Sequence, residues 1–303
     1  MRPNRRRIRS WLGAVVLALS VACSPSTPTT PTPPPPPTPP PPNTAPVLQS
    51  VVASVTTRTE VETDVTVTAT VSDAETAVDA LAYVWTASVG TISGTGRTVT
   101  WRLARGAAMT PQMVTIALAV TEPYQTLENN VIVNRQHRVE SAAAPFRVHD
   151  SPAEVQAASL LFLGDFANNN VTPAECVRNF SDISQCGKAD EQSDIERVRR
   201  GRFITSWTLT FQSASFNLGF TQGSAAVRCR FESTVIEKID ANDPFFPGDQ
   251  VVADGTCNLA AVYEQGVWKL CTSAFAGSEL KAFGFEMAGA RRSVASALFG
   301  YRR

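Results

Sequence analysis

The chain reads as a multidomain protein: an all-β sandwich followed by an α+β domain whose helices precede a curved antiparallel sheet. Three observations predict this. Short alternating stretches rich in valine and threonine fill residues 47–138, with no helical periodicity among them. Helical spacing then begins abruptly at Ser151, and four long alternating stretches follow it. At 303 residues the chain is long enough for two cores.

The elements are taken in chain order. Arg2, Arg5, Arg6, Arg7 and Arg9 precede a short apolar run, Trp11 to Ala22. As a helix that run spans about 18 Å, too short for a bilayer core of about 30 Å. A basic head on a short apolar run is a secretion signal, so residues 1–22 are expected to be removed. Thirteen of the 21 prolines lie between Ser24 and Pro46. Such a run favours an extended polyproline II rod of about 60 Å, a spacer between Cys23 and the first sandwich strand.

Leu19-Ser20-Val21-Ala22-Cys23 resembles the lipobox of bacterial lipoproteins. The resemblance implies acylation of Cys23 and anchorage to a lipid membrane in the cell envelope. Ser20 and Ala22 also satisfy the small-x-small rule of ordinary signal cleavage, so both readings stand.

From Val47 the strands are legible one by one. "VTVTATV" sets Val65, Val67, Ala69 and Val71 against threonines, and "LAYVW" aligns Leu81, Tyr83 and Trp85. "MVTIALAV" aligns Val114, Ile116, Leu118 and Val120. "APVLQSVVASVTT", "VTVTATVSDAE", "LAYVWTASVGTISGTG" and "VTIALAVTE", in that order, resemble an Ig-like domain of the polycystic-kidney-disease type. The resemblance implies a spacer or adhesion module with Trp85 between its sheets. Asp73, Glu75 and Asp79 are oxygen donors of the kind calcium takes, but the preferred reading is a solvated acidic loop, with no metal or cofactor. His137 is expected at the surface.

Residues 139–149 read as a linker. Ser151-Pro152-Ala153-Glu154 has the form of a capping box with proline at the first helical position, and Thr172-Pro173-Ala174-Glu175 repeats it for a second helix reaching Phe180. A third helix covers Ala189 to Arg200. Four strands come next, the last two flanking Gln265-Gly266, a hairpin turn. Helices and then this meander, with "CNLAAVYEQGVWKLC", look like the nuclear transport factor 2-like fold shared with ketosteroid isomerase, over residues 150–276. That fold hosts enzymes, binders and dimerisation modules alike. The tail, residues 277–303, is left without a structural reading.

Five cysteines lie in this last segment, which suits an oxidising compartment. The sequence favours Cys176–Cys186 and Cys229–Cys257 as bridges, with Cys271 free; a bulge in the hairpin would instead join Cys257 to Cys271. Ketosteroid-isomerase chemistry needs an aspartate base and an oxyanion donor, and Asp165 and Tyr263 are its candidates. The plainer reading puts Asp165 at a solvated helix exit and packs Tyr263 on Trp268. No histidine follows His149, which removes histidine-based catalysis from the segment beyond it. The balance of 27 basic and 27 acidic residues argues against nucleic acid. Arg197, Arg199, Arg200 and Arg202 share their helix with acids and read as a solvated, salt-bridged face. The expected function is a non-catalytic module that binds a protein partner or a small apolar ligand, its oligomeric state open to dimers. The alternative is an isomerase, dehydratase or hydrolase.

Overall fold

The computed structural model describes residues 34–239, 241 and 243–276. The expected signal segment, Cys23 and the tail 277–303 lie outside the described residues. The chain is mostly β-sheet with few helices. Residues 34–46 carry no helix or strand and are largely exposed.

Among the described residues, ten strands precede the first α-helix. They are Val47–Ala53 (β1), Arg58–Glu60 (β2), Val65–Ser72 (β3), Ala82–Ala87 (β4) and Thr91–Ser93 (β5). Next come Thr98–Arg102 (β6), Gln112–Val114 (β7), Ile116–Glu128 (β8), Val131–Ala142 (β9) and Phe146–His149 (β10). They pair in the orders β1-β3-β6-β5, β4-β8-β9 and β2-β10-β7. Alternation decides which side chains meet. Val65, Val67, Ala69 and Val71 of β3 all turn inward, as do Val114, Ile116, Leu118 and Val120. Trp101, fully buried, fills the centre of this core, its ring edge-to-face with Phe146 at 5.3 Å. Trp85, expected between the sheets, is only half-buried and donates its indole N–H to the Gly96 carbonyl. Both indole N–H groups donate to backbone carbonyls, Trp85 to Gly96 and Trp101 to Val89, and it is Trp101 that takes the interior.

The expected linker 139–149 is corrected. Its residues complete β9 and form β10, which runs parallel to β2 and antiparallel to β7. Phe146 and Val148 are buried core residues, and this apolar alternation draws the segment into the sheet.

Helix α1, Ser151–Ala167, starts one residue beyond β10. Its N-cap is Asp150 rather than Ser151; the Asp150 carboxylate accepts from the Ala153 N–H. Helix α2, Pro173–Cys176, opens with the capping box read from sequence, Thr172 with Glu175, but stops at Cys176 instead of reaching Phe180. The chain leaves the helix because residues 179–181 bond to the edge of the last strand instead: Leu270 N–H to the Asn179 carbonyl and Ser181 N–H to the Leu270 carbonyl. Helix α3 spans Lys188–Gly201. Four strands then form one antiparallel sheet in sequence order: Arg202–Phe216 (β11), Gln222–Val235 (β12), Gln250–Glu264 (β13) and Val267–Ala276 (β14). Gln265 and Gly266 turn the last hairpin with φ of 52° and 85°.

A second core lies between helices and sheet. Phe162 stacks edge-to-face on Phe180 at 4.9 Å, and Phe166 on Phe231 at 5.4 Å, with Val227, Leu259 and Leu270 beneath them. Arg202, expected on a solvated face, is instead fully buried and grips Asp243 through two bonds of 2.8 and 2.7 Å.

The cysteine pairing also departs from expectation. Cys229 and Cys257 are bridged, their Cα atoms 6.1 Å apart; they stand diagonally, because Cys229 faces Gly255 and Cys257 faces Val227. The other bridge is Cys186–Cys271, so Cys271 is not free, and Cys176 is. A bulge explains this. The β13–β14 register slips between Ala260 and Ala261, leaving Cys271 as the extra residue of β14. The pairing of residues 179–181 with β14 carries Cys186 beside it. Cys176 is buried at the end of α2, where the Arg199 guanidinium lies 3.4 Å from its sulfur. Burial pushes its thiol pKa up. Non-reducing peptide mapping is expected to return Cys186–Cys271 and Cys229–Cys257, with Cys176 alkylated only after unfolding. Cys271→Ser is expected to lower the unfolding free energy by about 2–4 kcal/mol in a denaturant titration.

Candidate functional site

The densest polar network in reach of both cores forms where β10 passes into α1. His149, the last residue of β10, is wholly buried. Its Nδ1 lies 2.9 Å from Glu154 Oε2 and its Nε2 lies 2.9 Å from the Tyr263 hydroxyl. A carboxylate only accepts, so Nδ1 carries a proton and donates to Glu154; in the neutral ring Nε2 then accepts from the Tyr263 hydroxyl. Glu154 Oε1 accepts from the Asp150 N–H at 3.1 Å, which ties the first turn of α1 to the same carboxylate.

Glu60 of β2 supplies the other side. Its two oxygens accept from the Ser151 N–H at 3.0 Å and the Ser151 hydroxyl at 2.7 Å. Ser151 Oγ accepts in turn from the Trp268 indole N–H at 2.8 Å. Arg58 pairs with Glu60 at 3.3 Å and lies over the Tyr263 ring, 3.9 Å from its centroid. Arg147 of β10 donates to the Gly266 carbonyl at 2.6 Å. Gly266 is needed twice here, since its φ of 85° suits glycine and a Cβ would strike the Arg147 guanidinium.

This arrangement satisfies its members; it does not activate them. Ser151 is committed to Glu60 and Trp268 and has no bond to His149, so it forms no nucleophile–base pair. The Tyr263 hydroxyl is spent on His149. Asp165, the other catalytic candidate, sits near the far end of α1, about 20 Å along the helix from Ser151. Its carboxylate pairs with Arg178 at 2.6 Å, so it is ion-paired, not solvated. Around it Arg199 answers the last carbonyls of α1: those of Asp165 at 2.7 Å, Phe166 at 3.2 Å and Asn168 at 2.9 Å. The structure therefore does not bring Asp165 and Tyr263 together. A cleft of about 660 Å³ beside this end is lined by Val171, Thr172, Pro173, Glu196, Arg199 and Arg200, a mixed surface whose one carboxylate, Glu196, is exposed.

Tyr263 packs on Trp268 as expected, ring centroids 5.7 Å apart. Glu60, Arg58, Ser151 and Glu154 were not singled out for this site by their pattern. Glu60 stands at an outward position of β2 between the buried Thr59 and Val61, so no local pattern marked it. Nearby, Lys269 and Ser181 hold the Glu264 carboxyl below the usual range.

Comparison with known proteins gives structural similarities alone. Neither the family models nor the curated proteins compared with the chain give a match. Among solved structures the chain is similar to a ketosteroid isomerase-like protein from Erwinia carotovora atroseptica, with 11% identity and a TM-score of 0.33, covering 41% of this chain and 94% of that one. It is similar to the intermembrane space region of the chloroplast protein ARC6, with 12% identity and a TM-score of 0.31, covering 42% and 95%. A third is a putative aromatic ring hydroxylase from Novosphingobium aromaticivorans, with 13% identity and a TM-score of 0.28, covering 43% and 98%.

Tyr263→Phe leaves the buried His149 nitrogen without its donor and is expected to cost about 1–3 kcal/mol in urea unfolding. Ser151→Ala, which strands the Trp268 N–H and removes one of the donors to Glu60, is expected to cost at least as much.

Proposed function

We propose that this chain is an exported, lipid-anchored and non-catalytic display module of the bacterial cell envelope. In this reading Cys23 is acylated and residues 23–46 form the spacer. Residues 47–138 act as an Ig-like sandwich that spaces or adheres, and residues 150–276, a nuclear transport factor 2-like domain, present a surface to a protein partner. Two disulfides are the mark of an oxidising, extracytoplasmic compartment. No described helix is long and apolar enough to cross a membrane, which leaves attachment to the acyl chains in this proposal.

One observation carries the non-catalytic reading. The space between α1 and the sheet, where a pocket-bearing relative of this fold would hold its ligand, is filled by this chain's own side chains. Phe162, Phe166, Phe180, Phe231 and Leu259 are all within 1% of full burial, and the Cys229–Cys257 bridge crosses the same floor. This filled interior also disfavours a small apolar ligand in that space.

Native mass spectrometry of the purified protein is expected to give the bare chain mass, less two hydrogens for each bridge. A co-purifying small molecule would overturn the reading. Cys23→Ala is expected to move the protein from the membrane fraction to the soluble one; retention in the membrane would remove the lipid anchor from the proposal.

A further inference from the structure

Among the described residues, no cation answers a buried carboxylate in the first core. Glu122 continues the inward row of Leu118 and Val120 along β8 and is 0% exposed. Its Oε1 accepts from Asn43 Nδ2 at 2.8 Å and from the Thr76 hydroxyl. Its Oε2 is buried without a hydrogen-bond partner.

Three further buried atoms without partners belong to side chains tied to it: Asn43 Oδ1, Asp73 Oδ2 and His137 Nε2. Asn43 is bonded to Glu122 directly. Asp73 is one link away, because the Thr76 N–H donates to Asp73 Oδ1 at 2.6 Å while the Thr76 hydroxyl donates to Glu122. His137 is the cross-strand neighbour of Glu122 on β9, half-buried rather than at the surface, with its ring stacked on Tyr124 at a centroid distance of 4.1 Å. The other two acids of the loop stand apart. Glu75 accepts from the Thr44 hydroxyl at 2.7 Å, and the exposed Asp79 pairs with Arg97 at 3.2 Å.

A carboxylate withdrawn from water must be neutralised or paired. A proton on Glu122 Oε2 would satisfy one of the three remaining acceptors and leave the others bare. A single cation would answer Glu122 Oε2, Asp73 Oδ2 and Asn43 Oδ1 together, and two carboxylates match a divalent charge. We propose that Glu122, Asp73 and Asn43 form a divalent-cation site. No three His, Cys, Asp or Glu side chains among the described residues are grouped so that they could hold a metal ion, which leaves His137 outside the ligand set and makes the Asn43 amide oxygen its third member. Carboxylate and amide oxygens suit calcium and manganese. Because Asn43 ends the proline segment, the ion fastens that segment to β8 and to the Asp73 loop. The site is independent of how the chain is anchored.

The test is thermal unfolding and calorimetric titration of the full chain after EDTA treatment, with calcium, manganese and zinc added in turn at millimolar concentration. At least one ion is expected to raise the unfolding temperature saturably with one ion per chain. Asp73→Asn is expected to weaken its binding roughly tenfold or more. Glu122→Gln is expected to abolish the response yet to unfold in EDTA no lower than the natural chain, since it removes the unanswered charge; this separates lost binding from lost folding. His137→Gln is expected to leave ion binding unchanged; loss of binding with that change overturns the three-oxygen ligand set. Absence of binding by every ion, or a response that survives Glu122→Gln, overturns the site, as does an EDTA-treated chain that gains stability only by acidification.

Discussion

The structure depends on a backbone that passes from strand to helix without a break. His149 closes β10, Asp150 caps, and Ser151 is already helical. Three consecutive polar residues are thereby withdrawn from water, and each demands a partner. Glu154, Tyr263, Glu60 and Trp268 provide those partners from both sides of the joint. The first core ends at Val148 and the second begins at Val155, so the two apolar clusters are separated by this polar collar. Hydrogen bonds fix orientation more sharply than apolar contact does, because a misdirected donor in a dry place loses its full bond. The collar thus specifies how the halves meet.

Much of this was legible in the sequence, and the reason is periodicity. Strands β3, β12 and β13 carry alternation that burial then follows, and Gln265-Gly266 turns where the positive φ values require. The joint was not legible as structure. "AAAPFRVHD" is short and apolar only at Phe146 and Val148, so it resembles a linker until β2 and β7, from distant sequence, take it in. Tertiary pairing of that kind leaves no local trace.

The same limit shows in the site residues and the cysteines. The catalytic candidates Asp165 and Tyr263 were chosen by residue type and element, and a helix of 17 residues holds them apart. Glu122 reads in sequence as the polar end of a strand; its burial comes from Asn43 and Thr76, which arrive from elsewhere. Strand counting placed Cys229 near Cys257, but it assumes an unbroken ladder, and one extra residue in β14 redirects Cys271.

The two bridges are nested. Cys229–Cys257 lies within the stretch spanned by Cys186–Cys271, and both enclose the connection between β12 and β13. Phe246 of that connection is 61% exposed, an accessible target for an extracellular protease. A cut there would leave two polypeptides still covalently joined, with β12 and β13 held side by side. The second core therefore survives nicking as a two-chain body, and only combined cleavage and reduction would let the pieces part.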